Sequence, residues 1–336
     1  MPLLSVIIPV YNVAPYLEEC LASVVGQDYQ DLEILCIDDG STDGSSQILD
    51  EWSEKDHRIR VIHQENQGPS RARNIGIQHA RGIYLSFVDS DDTVLRNIFT
   101  TTLPILMEKH LDTLLFSYQT IPDGKTHSPG FPVNLVCDYH LLFASNNAIQ
   151  SKNSLCFSWR YIFKTSILKD NNLLFDEQVK IGNDMIFNID ALCHSHRIMI
   201  IDTPLYCYRT NNPNSLQSKK YKPNLESSYT RMYMIKKQQI LKYNLGYCSS
   251  YPLDLARVVI FRYLPLFVNN AFCRSGGRVN KSEIKNILSL QMFQEAFKTI
   301  GLKLNGVSIK EYLFYLALRY QFMPFVFFEY NRLYGK

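Results

Sequence analysis

Over the first 117 residues, short apolar runs alternate with longer amphipathic ones. Leu4-Ser-Val-Ile-Ile-Pro9 reads as a strand, and Pro15–Val25, apolar at three- and four-residue spacing, as a helix. Leu32–Ile37 is a second strand, followed past an Asp-Gly turn by a helix over Ser45–Lys55. Arg58–His63, a helix over Pro69–Ala80, Ile83–Val88 and Leu114–Phe116 continue the alternation. Unbroken Val/Ile/Leu strands joined by single helices predict an α/β fold with a mostly parallel sheet covered on both faces. Such a sheet takes ligands beyond the carboxyl ends of its strands.

The polar residues cluster at those ends. The first strand runs into Pro9-Val10-Tyr11-Asn12, the second into Asp38-Asp39-Gly40-Ser41-Thr42-Asp43, and the fourth into Asp89-Ser90-Asp91-Asp92. Each segment alone suits a turn or a helix cap, and Asp92 is expected to cap a helix beginning near Thr93. Three consecutive strands delivering polar ends to one rim favour a functional site. Three acidic groups at the end of an apolar strand repel one another unless a cation intervenes. Mg²⁺ or Mn²⁺ would relieve this with one or two carboxylates plus substrate phosphates. Asp89 and Asp91 point the same way if the extended backbone continues through Ser90. Common phosphate motifs are missing: there is no Gly-x-x-x-x-Gly-Lys-Ser/Thr, and no Gly-x-Gly-x-x-Gly follows the first strand.

Four segments together resemble glycosyltransferase family 2, whose fold is termed GT-A. They are Ser5-Val-Ile-Ile-Pro-Val-Tyr-Asn12, Ile37-Asp-Asp-Gly-Ser-Thr-Asp43, Asn66-Gln-Gly-Pro-Ser-Arg-Ala-Arg-Asn-Ile-Gly76 and Phe87-Val-Asp-Ser-Asp-Asp92. The resemblance is strong over about residues 3–100, weaker to about 216, and not seen beyond. It implies an inverting transfer from a nucleotide-diphosphate sugar. Pro9, Tyr11 and Asp39 would bind the base, with Asn12 and Ser41 in the same loops. Asp89 would lie near ribose and metal, and Asp91 would be the main metal ligand. Arg71 to Gly76, including Asn74, would line the donor pocket. The residue types agree: Tyr11 offers a ring for stacking, and Asp39 an acceptor for a pyrimidine N–H, which favours UDP. Arg71 and Arg73 suit phosphate, though a solvated helix face explains Arg73 equally well.

The resemblance also places a base at the start of a later helix, here Ile181-Gly-Asn-Asp-Met-Ile-Phe187. Asp184 would take the acceptor proton, with Asn183 standing where relatives usually carry Glu; a simple N-cap is the alternative. Trp159 with Arg160 would form a sugar-stacking wall, or Trp159 is plain core. Tyr206-Cys-Tyr-Arg209 and Asn214-Ser-Leu216 resemble a segment closing over the donor, where Arg209 would meet the diphosphate or simply lie at the surface.

Charge divides the chain. Residues 1–218 carry 16 Lys+Arg against 26 Asp+Glu, and residues 219–336 carry 19 against 6. An acidic, cation-holding catalytic domain over 1–218 and a basic helical region over 219–336 are expected. Helices are predicted at Ser227–Tyr243, Leu253–Phe272, Lys281–Leu288 and Ile309–Arg319. Tyr312–Tyr330 is dense in Leu, Phe and Tyr but is interrupted by Arg319 and Pro324, so amphipathic helices on an anionic membrane surface are preferred to a span. A soluble lid is the competing reading. The acceptor would be a glycan or lipid-linked glycan. Nucleic acid is not expected, since no such signature occurs.

Eight scattered cysteines without a Cys-x-x-Cys pair, and a start without a basic and apolar leader, predict reduced thiols in a cytoplasmic protein. Cys193-His194-Ser195-His196 fits no common zinc spacing. Two rival functions remain on these residues: a haloacid-dehalogenase-type phosphatase using Asp89 and Asp91 with Lys169, and a non-catalytic sugar- or nucleotide-binding relative.

Overall fold

Strand β1 (Leu4–Val10) is buried along nearly its whole length, and it lies in the interior of the sheet. The computed structural model describes residues 2–213, 220–247, 250–302 and 308–334. Helix α1 (Ala14–Val25) leads to β2 (Leu32–Asp38), α2 (Ser45–Lys55) to β3 (Ile59–His63), and α3 (Pro69–His79) to β4 (Tyr84–Phe87). These four strands lie parallel in the order β3-β2-β1-β4. Pro9 sits in the central strand, where a missing N–H usually costs a ladder bond. Val10 turns its carbonyl to Asp39 beyond β2, and Ile7 turns its own to Val88. Pro9 therefore faces the β4 side, past the last paired residues Ile7 and Phe87, where no bond is lost.

Beyond β4 the expected parallel pattern ends. Asp92 does not cap a helix: Thr93–Val94 is a short strand, β5, and helix α4 begins only at Ile98 and runs to Glu108. The fifth strand of the expectation is longer, β6 (Thr113–Ile121), and pairs with the two-residue β7 (Thr126–His127). After α5 (Tyr139–Ala144), β8 (Tyr161–Lys164) inserts antiparallel between β4 and β6. Helices α6 (Thr165–Asp170) and α7 (Asn183–Cys193) precede β9 (Ile198–Arg209), which runs parallel to β6 and antiparallel to β5. The sheet is thus parallel on one side and mixed on the other. Register shifts interrupt β6 against β9 between Phe116 and Tyr118.

The chain divides into two compact units, Met1–Asn146 with Leu155–Pro213, and Asn147–Ser154 with Asn214–Lys336. The second unit is helical: α8 (Leu225–Lys242), α9 (Ser250–Val258), a π turn at Val259–Tyr263, α10 (Leu264–Arg274), α11 (Lys281–Ser289), α12 (Gln291–Ile300), α13 (Ile309–Arg319) and α14 (Met323–Tyr334). Helix α12 was not expected. The short segment 147–154 belongs to this unit because Asp254 accepts from the Gln150 N–H at 2.7 Å and buried Lys236 donates to the Gln150 side chain at 2.6 Å. Ser250–Arg274 is long and apolar enough to cross a bilayer, yet most of it is buried within the unit.

Helix α3 packs unusually close to β1. A Cβ added at Gly76 would lie 2.3 Å from Ile7 Cγ2, inside a sheet with no room to yield. Gly76→Ala should destabilise by about 1–3 kcal/mol, as overpacking does, read as a lower Tm. An unchanged Tm would mean that α3 can move off the strand.

Candidate active site

Backbone direction brings the three polar segments to one rim, and side-chain bonds then lace them together. The Asn12 backbone lies in the left-handed region at φ 48, its N–H donates to Ser41 Oγ at 3.2 Å, and its Oδ1 accepts from the Thr42 N–H at 2.8 Å. Asp43 accepts from the Ala14 N–H at the start of α1 and from Ser45 at the start of α2. Asp38 accepts from the Ser41 N–H, Ser46 Oγ and His63 Nδ1. Burial alone would raise Asp38, and those hydrogen bonds outweigh it and hold the carboxyl below its ordinary range. Tyr11, just before this lacing, is 51% exposed.

Asp39 is buried and organises the approach to α3. Its carboxylate accepts from the Gln67 and Gly68 N–H groups at 2.9 and 2.8 Å and from the Gln64 amide. Helix α3 then reaches three other segments. Ser70 meets the Asn183 amide at the start of α7. Arg73 Nη2 donates to Asp89 Oδ1 at 2.6 Å. Asn74 is buried, its amide spent on both backbone groups of Phe175 and on Glu177, so it anchors that loop and has no open group for a sugar. Arg71 contacts Glu177 at 3.4 Å and stays partly exposed.

Past β4 the backbone does not continue extended through Ser90. The Asp92 N–H bonds back to the Asp89 carbonyl at 3.0 Å in a turn, so strand alternation is not what relates Asp89 to Asp91. The reason is Asp92, which is buried and accepts from the Tyr206 hydroxyl at 2.8 Å and the Arg209 N–H at 2.7 Å. The Tyr206 hydroxyl in turn accepts from the Asp89 N–H. Burial first, then the Asp89 and Asp91 charges, push the Asp92 carboxyl well up. Asp91 is also raised, by burial and then by Asp89, against a 2.7 Å hydrogen bond from Asn212.

Asp184, in the first turn of α7, belongs to the same electrostatic group. Burial raises it most; the Arg73 charge lowers it, Asp89 raises it further, and the Ser158 N–H opposes both. Arg73 itself is buried. Burial works against its charge, but Asp89 and Asp184 more than compensate and hold the guanidinium above its ordinary value. The cation that the sequence left undecided between phosphate contact and solvated face is neither. It is an internal counter-ion.

Two expected contacts differ in kind. Trp159 is 1% exposed, stacked on Tyr206 at 4.1 Å, so it is core and presents no wall to a sugar. Arg209 spends its guanidinium on the Asp91 carbonyl, on Glu19 and on the Tyr16 ring. Asn214 to Leu216 lies outside the described residues. Asn212 and Phe157 were not singled out from sequence, and Tyr206 was named only within the segment expected to close over the donor, because their placement follows from strand β9 and the turn before Ser158. Among the described residues no three His, Cys, Asp or Glu side chains gather to hold a metal.

The fold and this rim define a GT-A glycosyltransferase. Residues 5–149 match the profile described as Glycosyl transferase family 2, and the chain belongs to that family as a sugar-transferring enzyme. EpsJ of Bacillus subtilis strain 168, an uncharacterized glycosyltransferase, is 35% identical over 303 residues, 89% of this chain and 87% of EpsJ. GlyG of Streptococcus pneumoniae serotype 4, a glycosyltransferase, is 32% identical over 225 residues, 64% of this chain and 73% of GlyG. Staphylococcus aureus TarS 1–349 in complex with UDP-GlcNAc superposes with a TM-score of 0.70 at 22% identity, covering 96% of this chain and 89% of that one; at that identity the likeness is one of fold. The phosphatase reading falls with family membership. Lys169 instead donates to the Gln78 and Ala80 carbonyls at the end of α3.

Removing the internal cation should expose its role. Arg73→Leu leaves Asp89 and Asp184 without compensation and should cost on the order of 3 kcal/mol at pH 7.5, as for one partner of a buried pair. Losing Arg73 raises Asp184 further, so the variant takes up a proton more readily and its deficit should shrink as pH falls toward 5. Denaturant unfolding at both pH values measures this; equal deficits would refute the coupling.

Proposed function

We propose that the chain is an inverting transferase moving a hexose or N-acetylhexosamine from UDP to a hydroxyl of a glycan or lipid-linked glycan. The observation carrying this reading is the position of Asp184, a carboxylate raised by burial and coupled through Arg73 to the strand-end aspartates. A raised carboxylate is a better proton acceptor than an ordinary one, and the Arg73 charge opposes its full neutralisation. It would take the acceptor hydroxyl proton as the sugar carbon is attacked from the side opposite the diphosphate.

The donor would lie along the rim. Tyr11 offers an exposed ring to the base. Asp39 uses three of its roughly four lone-pair positions on Gln64, Gln67 and Gly68, which leaves room for one pyrimidine N–H. Pro9, Asn12 and Ser41 shape the same loops, and Arg71, partly exposed at the start of α3, would turn to phosphate. Asp91 with Asp89 would hold Mn²⁺ or Mg²⁺, because burial and then the Asp89 charge already raise Asp91 and hard cations need only one or two carboxylates beside phosphate oxygens. When bound, such a cation takes up charge on the departing diphosphate. UDP is favoured by these residue types, and TarS, a poly(ribitol-phosphate) beta-N-acetylglucosaminyltransferase 28% identical over 65% of this chain and 37% of its own, adds support for an N-acetylhexosamine.

A panel of nucleotide sugars with Mn²⁺, followed by nucleotide release, should single out UDP donors. Asp184→Asn should reduce turnover by about 10²-fold or more, in line with loss of a general base, while UDP binding persists. Undiminished turnover would end the assignment.

The helical unit would rest on an anionic bilayer surface. Ile309, Leu313 and Tyr320 fall at helical spacing on one face and are exposed, within the strongly basic stretch 219–336. Full-length protein should float with vesicles containing anionic phospholipid. Leu313→Glu with Tyr320→Glu should cut the bound fraction about fivefold or more, since buried apolar area drives such binding. The same flotation with neutral vesicles would contradict the electrostatic part.

A further inference from the structure

Behind the carboxylate rim the aromatic rings form a staircase from buried to exposed. Tyr206 and Trp159 are buried and stack at 4.1 Å with planes 7° apart. Phe157 stacks on Trp159 at 4.9 Å and 18°, and Tyr208 lies 5.6 Å from both Phe157 and Trp159. Phe157 and Tyr208 are only partly buried. The staircase therefore ends in two rings that solvent reaches.

Phe157 also has an unusual backbone. Its φ is 67, in the left-handed region that bulky side chains avoid. Residues held this way collect at binding and catalytic sites, where surrounding structure keeps them in place. Two consequences follow from this conformation. The ring is laid on Trp159 instead of being sunk into the core, and the next residue, Ser158, turns its N–H to the Asp184 carboxylate. A ligand resting on Phe157 would lie one peptide unit from the group bonded to Asp184.

We infer that Phe157, with Tyr208 at its flank, is the stacking platform for the acceptor sugar and sets which ring hydroxyl meets Asp184. This rests on the glycosyl-transfer reading above and assigns its acceptor side. The C–H face of a pyranose is weakly positive and apolar, and it suits the negative face of an aromatic ring. Trp159 supports the platform from beneath. In that reading the donor diphosphate lies at Asp89 and Asp91 through a bound cation, so a ring next to the Ser158 N–H that meets Asp184 would serve the nucleophile.

Saturation-transfer NMR on the full chain tests this with a panel of methyl β-hexopyranosides, recorded with and without UDP while the aromatic protons are irradiated. Wild type and Phe157→Tyr should pass saturation to the sugar C–H protons. Phe157→Gly, which accepts the left-handed backbone and so keeps the turn, should lose the signal about fivefold or more, as loss of an aromatic contact predicts. UDP titration and Tm should stay close to wild type in both variants. Persistence of the signal in Phe157→Gly, or no signal in wild type with any glycoside, overturns the assignment. Failure of wild type to bind UDP would count against the donor reading alone, since the UDP-free spectra still decide the role of Phe157.

Discussion

One buried guanidinium conditions the whole rim. Arg73 lies within α3, away from bulk water, with Asp89 bonded to it and Asp184 in its field. In such surroundings each unneutralised carboxylate would be costly, and one cation shared between two carboxylates lets both be kept. Asp89 comes from the end of β4 and Asp184 from the start of α7. The pair is thus also the electrostatic seam between the parallel half of the sheet and the later helix. Every feature that keeps α3 against β1, including the missing side chain at Gly76, serves that seam indirectly.

The aspartates of the rim divide into two kinds. Asp38, Asp43 and Asp92 are enclosed by donors and hold loops and strands in register. Asp91 and Asp184 carry fewer such bonds, and burial displaces their carboxyls upward, as it also does that of Asp92, whose donors come from strand β9. The first kind makes the backbone rigid; the second is left energetically unsatisfied at a place where substrate charge can arrive. Asp39 stands between them, since it orders the Gln64–Gly68 loop and still has acceptor capacity.

Most of the parallel half was legible in the sequence, because buried parallel strands are continuous apolar runs and their helices have clean periods. Helix α2 has the expected ends, and α13 does too. The mixed half was not. Strand β8 is only four residues long, and β9 is broken after its buried run Ile198–Ile201 by exposed Asp202 and half-buried Thr203 and Pro204, so neither has a clean period. The strand-end carboxylates were found by position and Asp184 through the family resemblance, whereas Arg73 was undervalued because a cation on a helix is usually solvated. Trp159 and Phe157 are two residues apart, and only the left-handed backbone at Phe157 decides which of them meets solvent. No local pattern announces that for a phenylalanine.

The interrupted register of β6 against β9 reaches further than its few residues. Before the irregularity Phe116 lies opposite Ile201; after it Tyr118 lies opposite Tyr206, an advance of two positions against five. The surplus is odd, so the two faces of β9 exchange relative to its neighbour. Tyr206 owes its reach to Asp92 to that exchange, and Tyr208 its place by the rings. A lineage that trimmed one residue between Asp202 and Pro204 would turn Cys207 inward instead, and the enzyme would lose its aromatic step and its tether to the turn in a single event.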